Sequence, residues 1–464
     1  MRVLPFVLLL AILGLPLTSQ AADDAAEAST AGNGVQALPD ADIAYTDSQV
    51  EPLPDVPSEM DDLPDTATEK FAMPIEKLKT KSKTEKKSDK KDKKTARSKP
   101  APKPEPEVVP EISSAPVIHG GAQRIGGAPV APDLQRFQFL PLPAKGADPN
   151  VMPLLWPVLA SHSLEGDHTG MLRRIVIVVH DDHRDADETL RQAKILAGPG
   201  ASGRLANIMI VAPLFSMMAD RARFKPMLTD GVKHVAAWSA TEWWQGGETA
   251  AADNDGRRVS SMTAMDLLLL ILTDKRRFPE LRQLVVAGYG RGADFVHRYA
   301  LFSRAQDVLS ETNLKPHYVL FAPLSYVYLT DNRPDGQGVF ATPKNVKTCP
   351  GWQDYPYGLE QPNVYTRLTA GNVARQNYVS RQVTTLVGGE DNDVGDKNCA
   401  ALLQGRNVKE RAENFDAFLK SGFGEVATQK LLLLPSVAND PMALVTSSCG
   451  ASLLFADGTC LRAQ

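Results

Sequence analysis

The sequence predicts an α/β fold, a doubly wound and mostly parallel sheet preceded by a long charged leader. Three observations carry that expectation. Arg174 to His180 reads RIVIVVH, a continuous β-branched run of the kind that forms a strand buried on both faces. From about Phe137 onward short apolar runs alternate with helical patterns, the alternation that builds a parallel sheet covered on both sides. Leu284 to Leu301, LVVAGYGRGADFVHRYAL, passes from an apolar run into a helical pattern through a glycine-rich corner.

The 464 residues divide into three expected parts. Residues 1–21 carry one basic side chain, Arg2, then the apolar run Val3 to Leu17 and small residues up to Ala21 and Ala22, the order of a secretory signal peptide. That run is shorter than the ~20 residues that span a bilayer, so cleavage is expected, with an uncleaved anchor as the alternative. No cysteine precedes Cys349, which excludes a lipoprotein anchor. Residues 22–125 form the leader. Ala22 to Glu69 holds thirteen acidic side chains and no lysine or arginine; Lys70 to Lys103 reverses the sign, and a proline-rich stretch follows. Such a composition buries too little apolar surface to offset chain entropy and predicts a disordered segment. The block Lys77 to Lys103 reads as a solvated spacer or as a patch that adheres to an anionic envelope surface. No aromatics interleave with its lysines, so nucleic acid is the least favoured partner. The net charge of −4 hides this segregation.

Residues 126–464 are the expected folded domain, long enough to bury a sizeable core. After the strand at Arg174, the spacing Asp185-Ala186-Asp187-Glu188 predicts a capping box that opens a helix. Asn207 to Val211 reads as the next strand, and a helix starts near Ser260 and Ser261. Leu284 to Ala287 is a strand and Arg291 to Ser303 a helix. Tyr318 to Ala322, Val383 to Val387 and Lys430 to Leu434 supply three further strands.

Several motifs stand along this domain in a fixed order. They are the His180 loop with RDAD, IVAPLF, EWWQGG, FPEL, VVAGYGRGADFVHRYAL, APLSYVYL, LVGGEDND, DKNCAA and LLPSVANDPM. In order and spacing they resemble the α/β-hydrolase fold, and one secreted subgroup of it in particular, over roughly residues 174–458. The resemblance implies a hydrolase ancestor acting on esters, amides or related acyl bonds. It also implies where a Ser-acid-His triad belongs: a serine in a G-x-S-x-G corner, an acid after a later strand, and a histidine after the last strand.

This chain departs from that pattern twice. The corner is spelled Gly288-Tyr289-Gly290-Arg291-Gly292, so Gly290, which has no side-chain nucleophile, stands in the serine position. The loop after the last strand places Asn439 where the histidine belongs, and no histidine follows His317. The acid position is filled in type: Glu390, Asp391 and Asp393 are candidates, with Asp391 first. Nucleophile and base act as a unit, so losing both predicts a domain without acyl-transfer chemistry.

Other candidates were weighed against plainer roles. His180, Asp181 and His183 lie in the loop where the fold builds its oxyanion hole, and a carboxylate at Asp181 repels a developing oxyanion. That loop reads as a hydrogen-bonded turn or as a metal site, although no distant ligand is identifiable. Tyr289 and Arg291 flank the corner and line the expected cleft. Asp391 to Asp396 has oxygen ligands at calcium-like spacing but lacks the full loop pattern, leaving a solvated or salt-bridged role. Trp238, Trp243 and Trp244 read as core or as a stacking platform, and His297 as a packed helix residue. No cofactor is implied. The four cysteines, Cys349, Cys399, Cys449 and Cys460, lack C-x-x-C spacing, and export favours two disulfides. Of three pairings, Cys349–Cys399 and Cys449–Cys460 join sequence neighbours. In the resembled subgroup the first would clamp two excursions above the former active site. Three function classes follow: an exported binding module with an unknown ligand in the former cleft, a hydrolase with a non-standard site, and an envelope scaffold tethered through its leader.

Overall fold

The computed structural model describes residues 118–119, 137–146, 151–165, 172–197, 207–310, 313–344, 346–456 and 460. The signal segment, the Lys77 to Lys103 block and the leader apart from Ile118–His119 lie outside the described residues. Eleven strands are described: β1 (Ile118–His119), β2 (Phe137–Leu142), β3 (Leu154–Ala160), β4 (Arg174–Val179), β5 (Ile208–Pro213), β6 (Gln283–Tyr289), β7 (His317–Phe321), β8 (Arg333–Pro334), β9 (Phe340–Ala341), β10 (Gln382–Gly388) and β11 (Lys430–Leu434). Nine of them form one sheet in the order β1-β2-β3-β5-β4-β6-β7-β10-β11. From β5 to β11 every neighbour is parallel, while β1, β2 and β3 are added antiparallel. This is the α/β-hydrolase-like, doubly wound sheet expected from the sequence.

The expected strands are present: β6 and β10 run a residue or two beyond their expected bounds, β5 continues to Pro213, β7 is shifted by one residue, β4 ends at Val179, and β11 keeps its expected bounds. Every residue of β4 is buried, which is why it reads as a continuous apolar run rather than an alternation. Burying a Val or Ile side chain stabilises the fold by roughly 1.5–3 kcal/mol each. The sequence reading missed β2 and β3. Both contain proline, Pro141 and Pro157, and proline inside an apolar run argues against a strand. Pro157 is tolerated because it lies just beyond the last β3–β5 pair, Val158 with Pro213, where its carbonyl still accepts from Leu214 N–H at 3.0 Å.

The crossovers are α1 (Ala186–Leu196), α2 (Ser261–Leu272), α3 (Arg291–Phe302), α4 (Gly371–Ser380) and α5 (Val408–Phe423). Ser260 caps α2 as its position suggested, with Oγ accepting from Met262 N–H at 3.1 Å. The capping box expected at Asp185 does not form. Its carboxylate instead accepts from the Tyr289 hydroxyl at 3.0 Å, a tertiary bond that the local pattern does not reveal. Among the described residues no helix is long and apolar enough to cross a membrane.

Candidate functional site

Parallel strands send all their following loops to one edge of the sheet, and ligands bind at that carboxyl edge in folds of this type. The loops after β4 (180–185), β6 (290), β10 (389–396) and β11 (435–440) therefore share one rim. These are the four loops that carried the candidate residues in the sequence.

The corner after β6 is a sharp elbow. Gly290 has φ +55° and ψ −122°, a left-handed conformation that side-chain-bearing residues rarely adopt. Its N–H donates to Phe321 O at 3.0 Å, and its carbonyl accepts from Asp294 N–H at 3.1 Å. The elbow is also held by close packing. A Cβ on Gly292 would lie 2.3 Å from Val179 O and 2.4 Å from His180 O, so only glycine lets α3 approach β4. A Cβ on Gly290 would point toward Asp181, whose Cβ is 3.3 Å away.

The loop after β4 turns its polar groups inward. His180 is fully buried: its Nε2 accepts from Phe215 N–H at 3.0 Å, and its Nδ1 meets Asp181 O at 2.7 Å. Burial pulls its pKa down to about 4, so the ring is neutral and both nitrogens are engaged. Asp181 turns to His183, accepting from its N–H at 2.7 Å and lying 2.9 Å from its Nδ1. That hydrogen bond raises the pKa of the exposed His183 ring. Tyr289 is buried, its hydroxyl bonded to Asp185 and Thr189 at the start of α1.

The loops after β10 and β11 are joined to each other. Gly389 N–H donates to Leu434 O at 2.8 Å and Glu390 N–H to Val437 O at 3.0 Å. Asp391 is buried, and its Oδ1 accepts from Asp393 N–H at 3.0 Å; burial raises its pKa. Asn439 is exposed. Asp391 and Asp396 face different partners, and among the described residues no group of three or more His, Cys, Asp or Glu gathers as a metal would require.

Sequence reasoning missed the feature that dominates the rim. Arg291 Nη1 donates to Asp294 Oδ2 at 2.8 Å and to Asp396 Oδ2 at 3.0 Å, and its guanidinium stacks on Trp244 at 4.5 Å. Arg298 lies over the same ring at 4.6 Å, so Trp244 meets two guanidiniums. Asp294 also accepts from Leu324 and Ser325 N–H, at 2.8 and 3.0 Å. Burial works to raise the Asp396 carboxyl, but Arg291, Asn398 N–H and the Tyr357 hydroxyl outweigh it and hold it below the usual range. The spacing of Arg291, Asp294 and Arg298 on one helix was the available signal. Trp238 and Trp243 are core residues beside Phe215.

Both disulfides join the sequence neighbours named above, Cys349–Cys399 with Cα atoms 5.6 Å apart, and Cys449–Cys460. Closing a loop of 50 residues stabilises by roughly 4 kcal/mol in the chain-entropy picture. Around the first bridge Cys349, Trp352, Tyr357, Ala400 and Ala401 form a small second core. The strap it holds bonds to the elbow helix and the acid loop: Arg298 Nη2 donates to Pro356 O at 2.9 Å, and Tyr357 Oη to Asp396 at 2.9 Å.

No family model matches the chain, and no curated protein does. Several solved structures are similar to the chain at low identity. A poly(aspartic acid) hydrolase from Sphingomonas sp. KT-1 is 17% identical, covering 65% of this chain and 93% of its own, with a TM-score of 0.42. A poly(3-hydroxybutyrate) depolymerase from Bordetella parapertussis is 18% identical, covering 69% and 85%, with a TM-score of 0.41. A siderophore hydrolase from Aspergillus nidulans is 10% identical, covering 72% and 98%, with a TM-score of 0.35.

Proposed function

We propose that this α/β-hydrolase-fold protein has lost acyl-transfer chemistry and serves as an exported binding module for a ligand or partner at the former active-site rim. The observation that carries the reading is the elbow itself. Gly290 occupies the nucleophile position in nucleophile geometry and offers no oxygen. Asn439, an amide that accepts no proton near neutral pH, occupies the loop joined to that of Asp391. Asp181, its Cβ 3.3 Å from where a Cβ on Gly290 would stand, adds negative charge beside the elbow, which opposes a developing oxyanion. The two disulfides fit an oxidising, exported setting.

A second reading draws on the His183–Asp181 pair, an imidazole oriented by a carboxylate next to the elbow. It would activate a water rather than a serine. One experiment separates the two. The purified chain is screened for ester and amide turnover beside a His183→Ala variant, and is treated with a serine-directed fluorophosphonate. The binding reading expects no labelling and no turnover above the variant. Stoichiometric labelling at a serine overturns it, and turnover that His183→Ala removes favours the water mechanism.

A further inference from the structure

We infer that the groove between residues 242–251 and Asn363–Val364 is a binding site, separate from the elbow, for a small organic ammonium that also carries hydroxyl groups, the chemistry of an amino sugar. The groove has a volume of about 370 Å³ and opens to solvent. Small-ligand sites begin at ~300 Å³.

Its walls are rigid. Gly247 N–H donates to Glu242 O at 2.8 Å, and Ser261 N–H donates to Gly247 O at 3.0 Å. Ser260 Oγ donates to Gly246 O at 2.8 Å. Gln245 O accepts from both the Tyr355 hydroxyl at 2.6 Å and Asn363 Nδ2 at 2.7 Å, tying the two sides together. These bonds consume most of the lining's polar groups. Asn363 Oδ1 already takes the N–H groups of Tyr365 and Thr366. Thr249 Oγ1 is spent on Arg257 O and Val259 N–H. Gln245 Nε2 donates to Thr241 O.

What remains to meet a ligand is mostly acceptors: the carboxylates of Glu242 and Glu248 and the side-chain oxygen of Gln245. Among the described residues Arg258 is the one cation lining the groove, and it pairs with Glu248 at 3.8 Å, beyond hydrogen-bond length. Two carboxylates against one guanidinium leave the groove net negative. A protonated amine supplies the missing positive charge, and flanking hydroxyls supply donors to the remaining oxygens. A carboxylate or phosphate ligand would meet like charge.

The test is titration calorimetry of the full chain with glucosamine, with N-acetylglucosamine as the uncharged control and hydrogen exchange read at residues 246–251. Glucosamine is expected to bind and to protect those amides, and N-acetylglucosamine to bind at least about tenfold more weakly. Glu248→Gln should weaken glucosamine by about tenfold, with Glu242→Gln in the same direction, while Asp182→Asn, an exposed carboxylate on the loop after β4, leaves it unchanged. No heat and no protection overturns the proposal, as does equal affinity for both sugars. So does binding that Asp182→Asn abolishes while both Glu variants retain it, which would move the ligand to the elbow.

Discussion

The elbow at Gly290 and the loop around Asn439, the two positions on which the proposed loss of chemistry rests, are built in opposite ways. The elbow lies at the middle of the sheet, buried, hydrogen-bonded to β7 and wedged between β4 and α3 by glycine contacts. The Asn439 loop follows the edge strand β11, whose leucines are only half-buried. It is exposed and held mainly by two backbone bonds involving the Asp391 loop. At the centre, packing holds the elbow's backbone in place. At the edge, nothing in the packing depends on which residue stands at 439.

The sharpest way to break this contrast is to add one carbon at each place. Gly292→Ala drives a Cβ to 2.3 Å from Val179 O, against backbone that cannot swing aside. We expect a loss of about 3 kcal/mol or more in urea unfolding, since overpacking a tight core costs that order. Asn439→Ala, on an exposed loop, should change stability by no more than about 0.5 kcal/mol. Similar losses at the two sites would show that the elbow's frame is not a product of packing.

Acid probes the same contrast more gently, because the central side carries buried histidines and no histidine follows His317. Burial lowers His180 to about 4, lowers His317 to about 4 through desolvation and the nearby Arg174, and holds His297 well below its ordinary value. In the unfolded chain these rings take up protons near pH 6.5, while the folded protein does not. The unfolded state then binds more protons, so stability falls as pH drops from about 6.5 toward about 4. Each such histidine contributes up to about 1.4 kcal/mol per pH unit in that window. The buried carboxyls Asp294 and Asp391 have raised pKa values and act in the opposite sense. The informative quantity is therefore a difference between slopes. His180→Gln keeps a donor and an acceptor, and between pH 6.5 and 5 it should lose stability less steeply than the parent. Equal slopes would show that His180 takes a proton in the folded protein.

Legibility in the sequence follows the same division between local pattern and tertiary contact. The parallel strands could be read because burial on both faces leaves an unbroken apolar run, as in RIVIVVH. The prolines of β2 and β3 hid those strands, since their tolerance depends on where the β1–β2 and β3–β5 ladders stop. The elbow and both cysteine pairs were legible from short motifs and from sequence adjacency. Asp185 looked like a helix cap but is a partner of Tyr289, 104 residues away. The Arg291–Asp396 contact joins helix and loop across 105 residues, and no local spacing announces it.

Restoring the lost side chains is the finest test, and its expected effect is the smallest. Gly290→Ser with Asn439→His places both missing groups on the frame described above. The serine must accept the left-handed backbone of the elbow, a strain of about 1–3 kcal/mol that packing at Gly292 can hold. Its Cβ would then lie 3.3 Å from that of Asp181, a side chain whose carboxylate holds His183 and adds negative charge beside the elbow. Removing one oxyanion donor costs enzymes about 10²–10³ in rate, and a facing negative charge is at least as harmful. The Asp391 carboxyl is already committed through Oδ1 to Asp393 N–H, and its burial favours the neutral form, a poor partner for an imidazolium. We therefore expect slow fluorophosphonate labelling at the new serine and little turnover of p-nitrophenyl acetate. Adding Asp181→Gly should raise that turnover by about tenfold or more if the carboxylate is the obstacle. Vigorous turnover in the double variant alone would mean that Asp181 does not oppose the chemistry and that the rim lost its activity only through the two missing side chains.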